Sequence, residues 1–318
     1  MTTVKPKALP AGSVIGVVAP ASRPVQPSTV WAGIRELERM GYHVKTGPHL
    51  MDRYGYLAGK DADRRADLEA AFADPEIDGI ICVRGGYGCA RLLADLDFEV
   101  IRAHPKVFVG YSDITTLHIA FYRKTGLVTF WGPMVSSEMG KDFKSYNRDG
   151  LLKAISSPVP IGEITNPPDG PNLQTLVSGT ATGRLIGGTL SLLTATLGTP
   201  YEVELDDAIL FFEDIGEEPH RIDRQLTQLL LSGKLGRVKG IVIGECMACE
   251  SPRYQPAFPY GNFHIEEVFE DLLVPLGVPI SYGLTIGHGA YKATLPIGVQ
   301  ATLDADRGVL RIDEAAVA

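Results

Sequence analysis

The sequence predicts an α/β protein in which a parallel β-sheet flanked by helices precedes a second, mixed α/β domain with a β-rich end. Three observations support this fold class. Short apolar runs alternate with helical patterns through the first half of the chain. Prolines cluster near the middle, and β patterns interrupted by proline and glycine fill residues 293–313. This order of signals is typical of a two-domain α/β chain.

The first half of the chain reads as strands separated by helices. The predicted strands are 13–19, 43–46, 77–83, 106–109 and 127–131, and the predicted helices are 29–40, 61–72, a short one ending at Leu93 and one that follows Ser112. Helices of this length between strands imply a parallel sheet with helices on both faces, in a flavodoxin-like arrangement. Ligands of such sheets bind beyond the carboxyl ends of the strands.

The second half begins after a proline-rich stretch. Because periodic signals stop there, we predict a linker at 157–171 between an N-terminal domain, 1–156, and a C-terminal domain, 172–318. Gly187-Gly188-Thr189 is expected to open a helix that ends at Gly198. Further predicted elements are strands at 208–212 and 240–243 and a helix at 222–231.

Length and charge limit the possible functions. A chain of 318 residues is long for a single core, which favours two domains. The net charge of −8 argues against nucleic acid or an anionic membrane as the main partner. No apolar run approaches the ~20 residues of a membrane helix, and no apolar stretch follows the lysines of residues 1–10. We therefore expect a cytoplasmic protein.

Ser112 is the first candidate catalytic residue. It lies in Gly110-Tyr111-Ser112-Asp113, between an apolar strand and a stretch with helical spacing. A sharp turn from strand to helix exposes a hydroxyl beside helix N–H groups, as in a nucleophile elbow. The alternative is that Ser112 or Asp113 only caps the helix, since both residue types are favoured there.

A glycine-rich loop, Arg84-Gly85-Gly86-Tyr87-Gly88, follows another predicted strand. Its glycines allow the backbone to approach a ligand and direct N–H groups toward it. The loop lacks the GxGxxG pattern, so a dinucleotide site is a weak interpretation. Whether the loop binds a ligand through its N–H groups or is only a tight strand-to-helix turn stays open.

A nucleophilic serine needs a base and an orienting acid. Among seven histidines, His118 lies too far along its helix to reach Ser112, whereas His288 lies between glycines in a loop where no core role is visible. Glu213 and Asp214 end an apolar strand, and only one of them is expected to face the site. The alternatives are a loop histidine without chemistry, and a cap of the 219–231 helix by Asp214 or Glu217.

The cysteines do not suggest a metal centre. Cys246 and Cys249 have CxxC spacing, but no second such pair and no paired histidines accompany them. We interpret them as ordinary reduced thiols, with redox or metal binding as a minor alternative.

Taken together, the motifs resemble the LD-carboxypeptidase family of serine peptidases, which includes the microcin-immunity hydrolases. The resemblance covers nearly the whole chain and depends on the order of several segments rather than on one. These are Gly16–Pro20, Arg84–Gly88, Gly110–Thr115, Phe130–Pro133, Gly187–Ser191, Glu213–Glu217 and Gly287–Gly289. One departure is Thr189, where the family usually has asparagine, which leaves local hydrogen bonding or substrate preference open.

The resemblance implies a catalytic triad of Ser112 as nucleophile, Glu213 as acid and His288 as base. It implies oxyanion donors at the backbone N–H groups of Asp113 and of Gly86, or its neighbour Gly85. No metal or cofactor is required.

The implied substrate is a murein tetrapeptide, cut between the L-centre of meso-diaminopimelate or L-lysine and the terminal D-alanine. Arg84 and Tyr87 are candidate substrate-binding residues; Arg84 or Arg184 could bind the free carboxylate, or Arg84 could instead brace a nearby aspartate. The resemblance also suggests a homodimer. One alternative is a microcin-immunity type of hydrolase acting on peptidyl- or aminoacyl-nucleotide conjugates, which would need an aromatic group to stack on a base; we interpret Trp131 as a core or cleft-wall residue rather than as that group. A non-catalytic small-ligand-binding protein is the other.

Overall fold

A computed structural model describes residues 2–250, 258 and 261–318 of the chain. It shows two β-sheets with helices packed against them, which confirms the predicted α/β class. Within the described residues, none of the helices is both long enough and apolar enough to cross a membrane.

The first sheet is formed mainly by the N-terminal half. Its strands from this half are β1 Val14–Val18, β2 His43–Thr46, β3 Gly79–Cys82, β4 Val107–Gly110 and β5 Thr129–Trp131. They pair in parallel in the order β5-β4-β3-β1-β2, as expected of a flavodoxin-like sheet. The helices of this half are α1 Pro27–Arg39, α2 Asp61–Ala73, α3 Phe98–Ala103, α4 Thr115–Thr125 and α5 Ser145–Ser156.

The second sheet is mixed and has eight strands. Its members are β6 Gly162–Ile164, β7 Gln174–Val177, β8 Thr180–Thr189, β9 Ala208–Ile215, β10 Gly240–Met247, β11 Ile280–Gly287, β13 Gln300–Asp304 and β14 Val309–Ile312. The remaining strand, β12 Leu295–Ile297, belongs to the first sheet. Its helices are α6 Leu190–Ala195, α7 Pro219–Leu231 and α8 Ile265–Leu273. Strands β8 to β11 are parallel neighbours, so their carboxyl ends meet at one edge.

Two pairings cross the predicted division of the chain. β12 leaves the C-terminal half and pairs antiparallel with β5, so it becomes an edge strand of the first sheet. β6 lies inside the stretch predicted as a linker and pairs with β14. The boundaries near 157–171 stay a prediction, but strands pair with one another across them.

Several elements differ from their predicted bounds. β8 runs from Thr180 to Thr189, a strand that the sequence did not predict. The predicted helix start at Gly187 therefore lies inside this strand. The helix there, α6, is six residues long and ends at Ala195 rather than at Gly198. A mixture of threonine and glycine along β8 obscures the alternation by which strands are recognised.

His118 lies in the core of the first sheet, on α4. It has no exposed surface, and its Nε2–H donates to the Gly110 carbonyl at 2.8 Å. Burial lowers the pKa of this imidazole to about 4, since the cation would be desolvated. His118 therefore supports the turn before Ser112 in its neutral form.

His118 predicts a loss of stability in acid. Because the pKa is about 4 in the folded chain and near 6.5 unfolded, the unfolded state binds the proton more readily between those values. The free energy of unfolding should fall as the pH drops from about 6.5 to 4, by about 3 kcal/mol from this residue. Urea unfolding at a series of pH values measures it.

His118→Gln keeps an N–H donor and should remove most of that slope. The control is His104→Gln, since His104 is exposed at the end of α3. Equal pH slopes for the wild type and His118→Gln would contradict the assignment.

Candidate active site

Ser112 lies in a sharp turn between β4 and α4. Its φ is +61°, a left-handed value that is unusual for a residue with a side chain. Residues Ser112–Ile114 form one 3₁₀ turn before α4 begins. Only glycine fits at position 110, because a Cβ there would lie 2.9 Å from the Ile114 side chain. This is the geometry of a nucleophile elbow, in which local strain presents the hydroxyl at the carboxyl end of a strand.

The glycine loop after β3 lies against this serine. A Cβ on Gly85 would be 2.8 Å from Ser112 Cβ and 3.0 Å from its Oγ. Gly86 has a φ of +115°, and a Cβ there would be 2.5 Å from Ser22 Oγ. The loop is held by Ser22, whose Oγ accepts a hydrogen bond from the Tyr87 N–H at 3.1 Å. Glycine is thus required here because two other chain segments approach the backbone.

Asp113 does not cap α4, contrary to one sequence interpretation. Its buried carboxylate accepts a hydrogen bond from the Cys89 N–H at 2.8 Å, and burial raises its pKa. The side chain thereby ties the Ser112 turn to the loop that follows β3.

Glu213 and His288 form a buried pair at the carboxyl ends of β9 and β11. The Nδ1–H of His288 donates to Glu213 Oε2 at 2.8 Å. The other oxygen, Oε1, accepts from the Thr189 hydroxyl at 2.6 Å. Glu213 has no exposed surface, whereas 14% of the His288 side chain is exposed. Because Nδ1 carries the proton, Nε2 keeps a lone pair and can act as a base.

Tyr111 connects the serine turn to this pair. Its ring packs edge-on against the His288 ring, with centroids 5.1 Å apart. Since Tyr111 directly precedes Ser112, this contact brings the turn after β4 to the imidazole at the end of β11. The structure thus places the residue before Ser112 against His288, which is bonded to Glu213, although β4 belongs to one sheet and β9 and β11 to the other.

Asp214 has a different role from its neighbour. It accepts hydrogen bonds from the N–H groups of Ser191, at 2.7 Å, and Ile215, at 2.8 Å. Burial raises its pKa to about 6. The expectation that it caps α7 is wrong, because it holds the first turn of α6 instead. Adjacent strand residues point to opposite sides, so only Glu213 faces His288.

Lys292 also belongs to this region, although no sequence pattern indicated it. It has no exposed surface, and its ammonium donates to the Gly287 carbonyl. Its Nζ lies 3.8 Å from the Tyr111 ring centroid and 4.0 Å from Glu138 Oε1. Burial lowers the pKa of Lys292, while the neighbouring carboxylates oppose that shift. Lys292 therefore contacts the backbone next to His288 and the ring next to Ser112.

The candidate substrate-binding residues differ in where they lie. Arg84 lines a cavity beside the glycine loop, and Tyr87 is exposed and packs edge-on against Tyr56 at 5.5 Å. Arg184 pairs in register with Ala208 at the opposite end of β9 from Glu213, and binds Thr3 Oγ1 and the Gly298 carbonyl. Arg184 is therefore too distant for the carboxylate-binding role.

The structure also places Trp131 and the two cysteines of the CxxC segment. Trp131 is fully buried, which agrees with a wall or core position rather than with base stacking. Cys246 and Cys249 are free thiols near the end of β10.

Comparison with known proteins assigns the chain to a family. Residues 15–132 match the LD-carboxypeptidase N-terminal domain, and residues 182–303 match the LD-carboxypeptidase C-terminal domain. A probable murein peptide carboxypeptidase of Bacillus subtilis is 42% identical over 300 residues, covering 94% of this chain and 91% of that protein.

Solved structures show the same likeness. A muramoyltetrapeptide carboxypeptidase from Oxalobacter formigenes superposes with a TM-score of 0.81 at 31% identity, covering 96% of this chain and 99% of the other. An MccF-like protein from Bacillus anthracis has a TM-score of 0.88 at 30% identity, with 98% and 100% covered. The chain therefore belongs to the LD-carboxypeptidase family.

Proposed function

We propose that this protein is a serine carboxypeptidase that releases the terminal D-alanine from murein tetrapeptides. The scissile amide joins the L-centre of meso-diaminopimelate or L-lysine to D-alanine. The observation that carries the proposal is the buried Glu213–His288 hydrogen bond of 2.8 Å beside the strained turn at Ser112. The similarity to carboxypeptidases of murein peptides supports the substrate class.

In the proposed reaction His288 Nε2 takes the Ser112 proton as Oγ attacks the amide carbonyl. Glu213 fixes the imidazole tautomer and stabilises its cation. When the tetrahedral intermediate collapses, the C–N bond breaks and His288 returns the proton to the D-alanine nitrogen. Water then hydrolyses the acyl-enzyme by the same proton transfers, which regenerates the serine.

The developing oxyanion needs donors next to Ser112. We assign this role to the backbone N–H groups of Asp113 and of Gly86, with Gly85 as the alternative. The contact between Gly85 and Ser112 supports a donor from this loop. Loss of one such donor typically costs ~10²–10³ in rate.

Substrate binding, assembly and location are proposed on the same basis. Arg84 and Tyr87 are assigned to substrate binding because they flank the two glycines of this loop. A homodimer in the cytoplasm is the assembly and location that the family resemblance supports.

Ser112→Ala should abolish D-alanine release, lowering kcat by about 10⁴-fold or more, because it removes the atom that forms the acyl-enzyme. The assay measures D-alanine liberated from the purified tetrapeptide. Ser232→Ala is the control, since Ser232 is exposed at the end of α7. Equal rates for the wild type and Ser112→Ala would refute the serine mechanism.

Thr189→Val should lower kcat about tenfold, because it leaves Glu213 Oε1 without its donor in a buried site. Thr189→Ser keeps the hydroxyl and should restore most of the rate. The readout that separates positioning from folding is the pH profile of kcat, whose acid limb should move in Thr189→Val and not in Thr189→Ser. Identical kinetics for both variants would contradict this role.

A nucleotide conjugate tests the alternative hydrolase. Because the similar microcin C7 self-immunity protein MccF has a solved complex with aspartyl sulfamoyl adenosine, an aminoacyl sulfamoyl adenosine is the appropriate competitor. We expect its kcat/KM to be lower than that of the tetrapeptide by at least about tenfold, since Trp131 is buried and cannot stack on the base. Parallel incubations followed by chromatography measure both, and faster cleavage of the conjugate would reverse the assignment.

A further inference from the structure

A cavity of about 330 Å³ lies beside the glycine loop. It is enclosed by the start of α1, by Arg84 after β3, and by the turn Val135–Met139 with the residues that follow β5. We call it the Arg84 pocket; its polar lining residues are Gln26, Thr29, Arg84, Ser136, Ser137 and Lys141. Its volume falls in the usual range for small-molecule sites.

The charge of the Arg84 pocket is entirely positive. Arg84 and Lys141 both line it, and no aspartate or glutamate does. Within the described part of the chain, neither cation forms an ion pair with a carboxylate, unlike Arg91, which pairs with Asp61. Among the described residues, the hydrogen bonds of the Arg84 side chain go to the backbone carbonyls of Gly85 and Arg23. The brace to an aspartate that the sequence left open is therefore absent from these contacts.

The nearest carboxylate on the same turn is already engaged elsewhere. Glu138 accepts from the Tyr111 hydroxyl at 2.7 Å and from the Met134 N–H at 2.9 Å. The hydroxyls of Ser136 and Thr29 are likewise used, since they donate to the carbonyls of Val83 and Gln26. Arg84 and Lys141 are thus the charged donors that the pocket offers an anion.

The Arg84 pocket adjoins the glycine loop that lies against Ser112. Gly85 contacts Ser112, and Arg84 Nη2 lies 3.6 Å from the position that a Cβ on Gly86 would take. In a C-terminal residue the carboxylate carbon follows the attacked carbonyl by only three bonds, about 3–4 Å in space. A group that binds this carboxylate must therefore lie about one residue's length from the nucleophile, and Arg84 directly precedes the glycine that lies against Ser112.

We propose that Arg84 and Lys141 form the subsite for the terminal carboxylate of the substrate. Arg84 supplies a planar fork that can bind a carboxylate through two hydrogen bonds, and Lys141 adds a second positive charge. α1 also directs its N-terminus at the pocket, which favours an anion. This inference rests on the proposed carboxypeptidase function, and it explains why that activity would remove one terminal residue rather than cut within a chain.

The test compares the tetrapeptide with the same peptide ending in D-alaninamide, which has no terminal charge. For the wild type we expect kcat/KM to favour the free acid by about 10–100-fold, the usual effect of charge-assisted hydrogen bonds. Arg84→Gln and Lys141→Gln should each lower this acid-to-amide ratio, and the double variant should bring it near one. Lys144→Gln is the matched control, because Lys144 pairs with Asp142 and does not line the pocket.

The outcomes separate this inference from the function on which it rests. If Arg84→Gln loses activity equally on the acid and the amide, the cations bind another carboxylate of the peptide or only support the loop, and the subsite is refuted while the carboxypeptidase stands. An unchanged ratio in both single variants refutes it as well. If the wild type releases D-alanine or its amide from neither peptide, the proposed function falls, and the subsite with it.

Discussion

A carboxylate with no exposed surface, that of Glu213, is the constraint around which this site is organised. Removing a carboxylate from water costs several kcal/mol unless hydrogen bonds and opposite charge replace the solvent. Thr189 and His288 each donate to one of its oxygens, and the Lys292 ammonium contributes a favourable charge. The orientation of the imidazole is thus a consequence of satisfying a buried anion.

The buried lysine creates a similar requirement of its own. Lys292 needs acceptors, and it finds them in the Gly287 carbonyl, the Tyr111 ring and the nearby Glu138. Tyr111 in turn donates its hydroxyl to Glu138. These contacts connect the residue before His288 with the residue before Ser112, so the polar network beneath the site holds the two halves of the proposed machinery in register. Networks of this kind are rigid only when every member is satisfied.

Much of this could be predicted from local pattern, because buried parallel strands appear as short apolar runs and functional side chains follow their carboxyl ends. Ser112, the pair Glu213 and Asp214, and the glycine loop are candidates on that pattern, and His288 is one because of its flanking glycines. The choice of Glu213 over Asp214 came from the family resemblance. The structure added Lys292 and the pairing of Leu295–Ile297 with β5. Both depend on partners more than 100 residues away in the chain, and no local periodicity reports such contacts. The family resemblance supplied the substrate, which the residues alone did not indicate.

The shared edge of the first sheet has a consequence for how this chain can evolve. The N-terminal half ends its own sheet at β5, and the C-terminal half provides the strand that covers that edge, at Leu295–Ile297. A recombination event between relatives in the proline-rich stretch would therefore pair β5 of one parent with β12 of the other. The two halves are separate in sequence, yet β5 in one and β12 in the other must stay complementary for the strands to pair. Transfer of the N-terminal half without the strand Leu295–Ile297 would leave the β5 edge unpaired and open to aggregation.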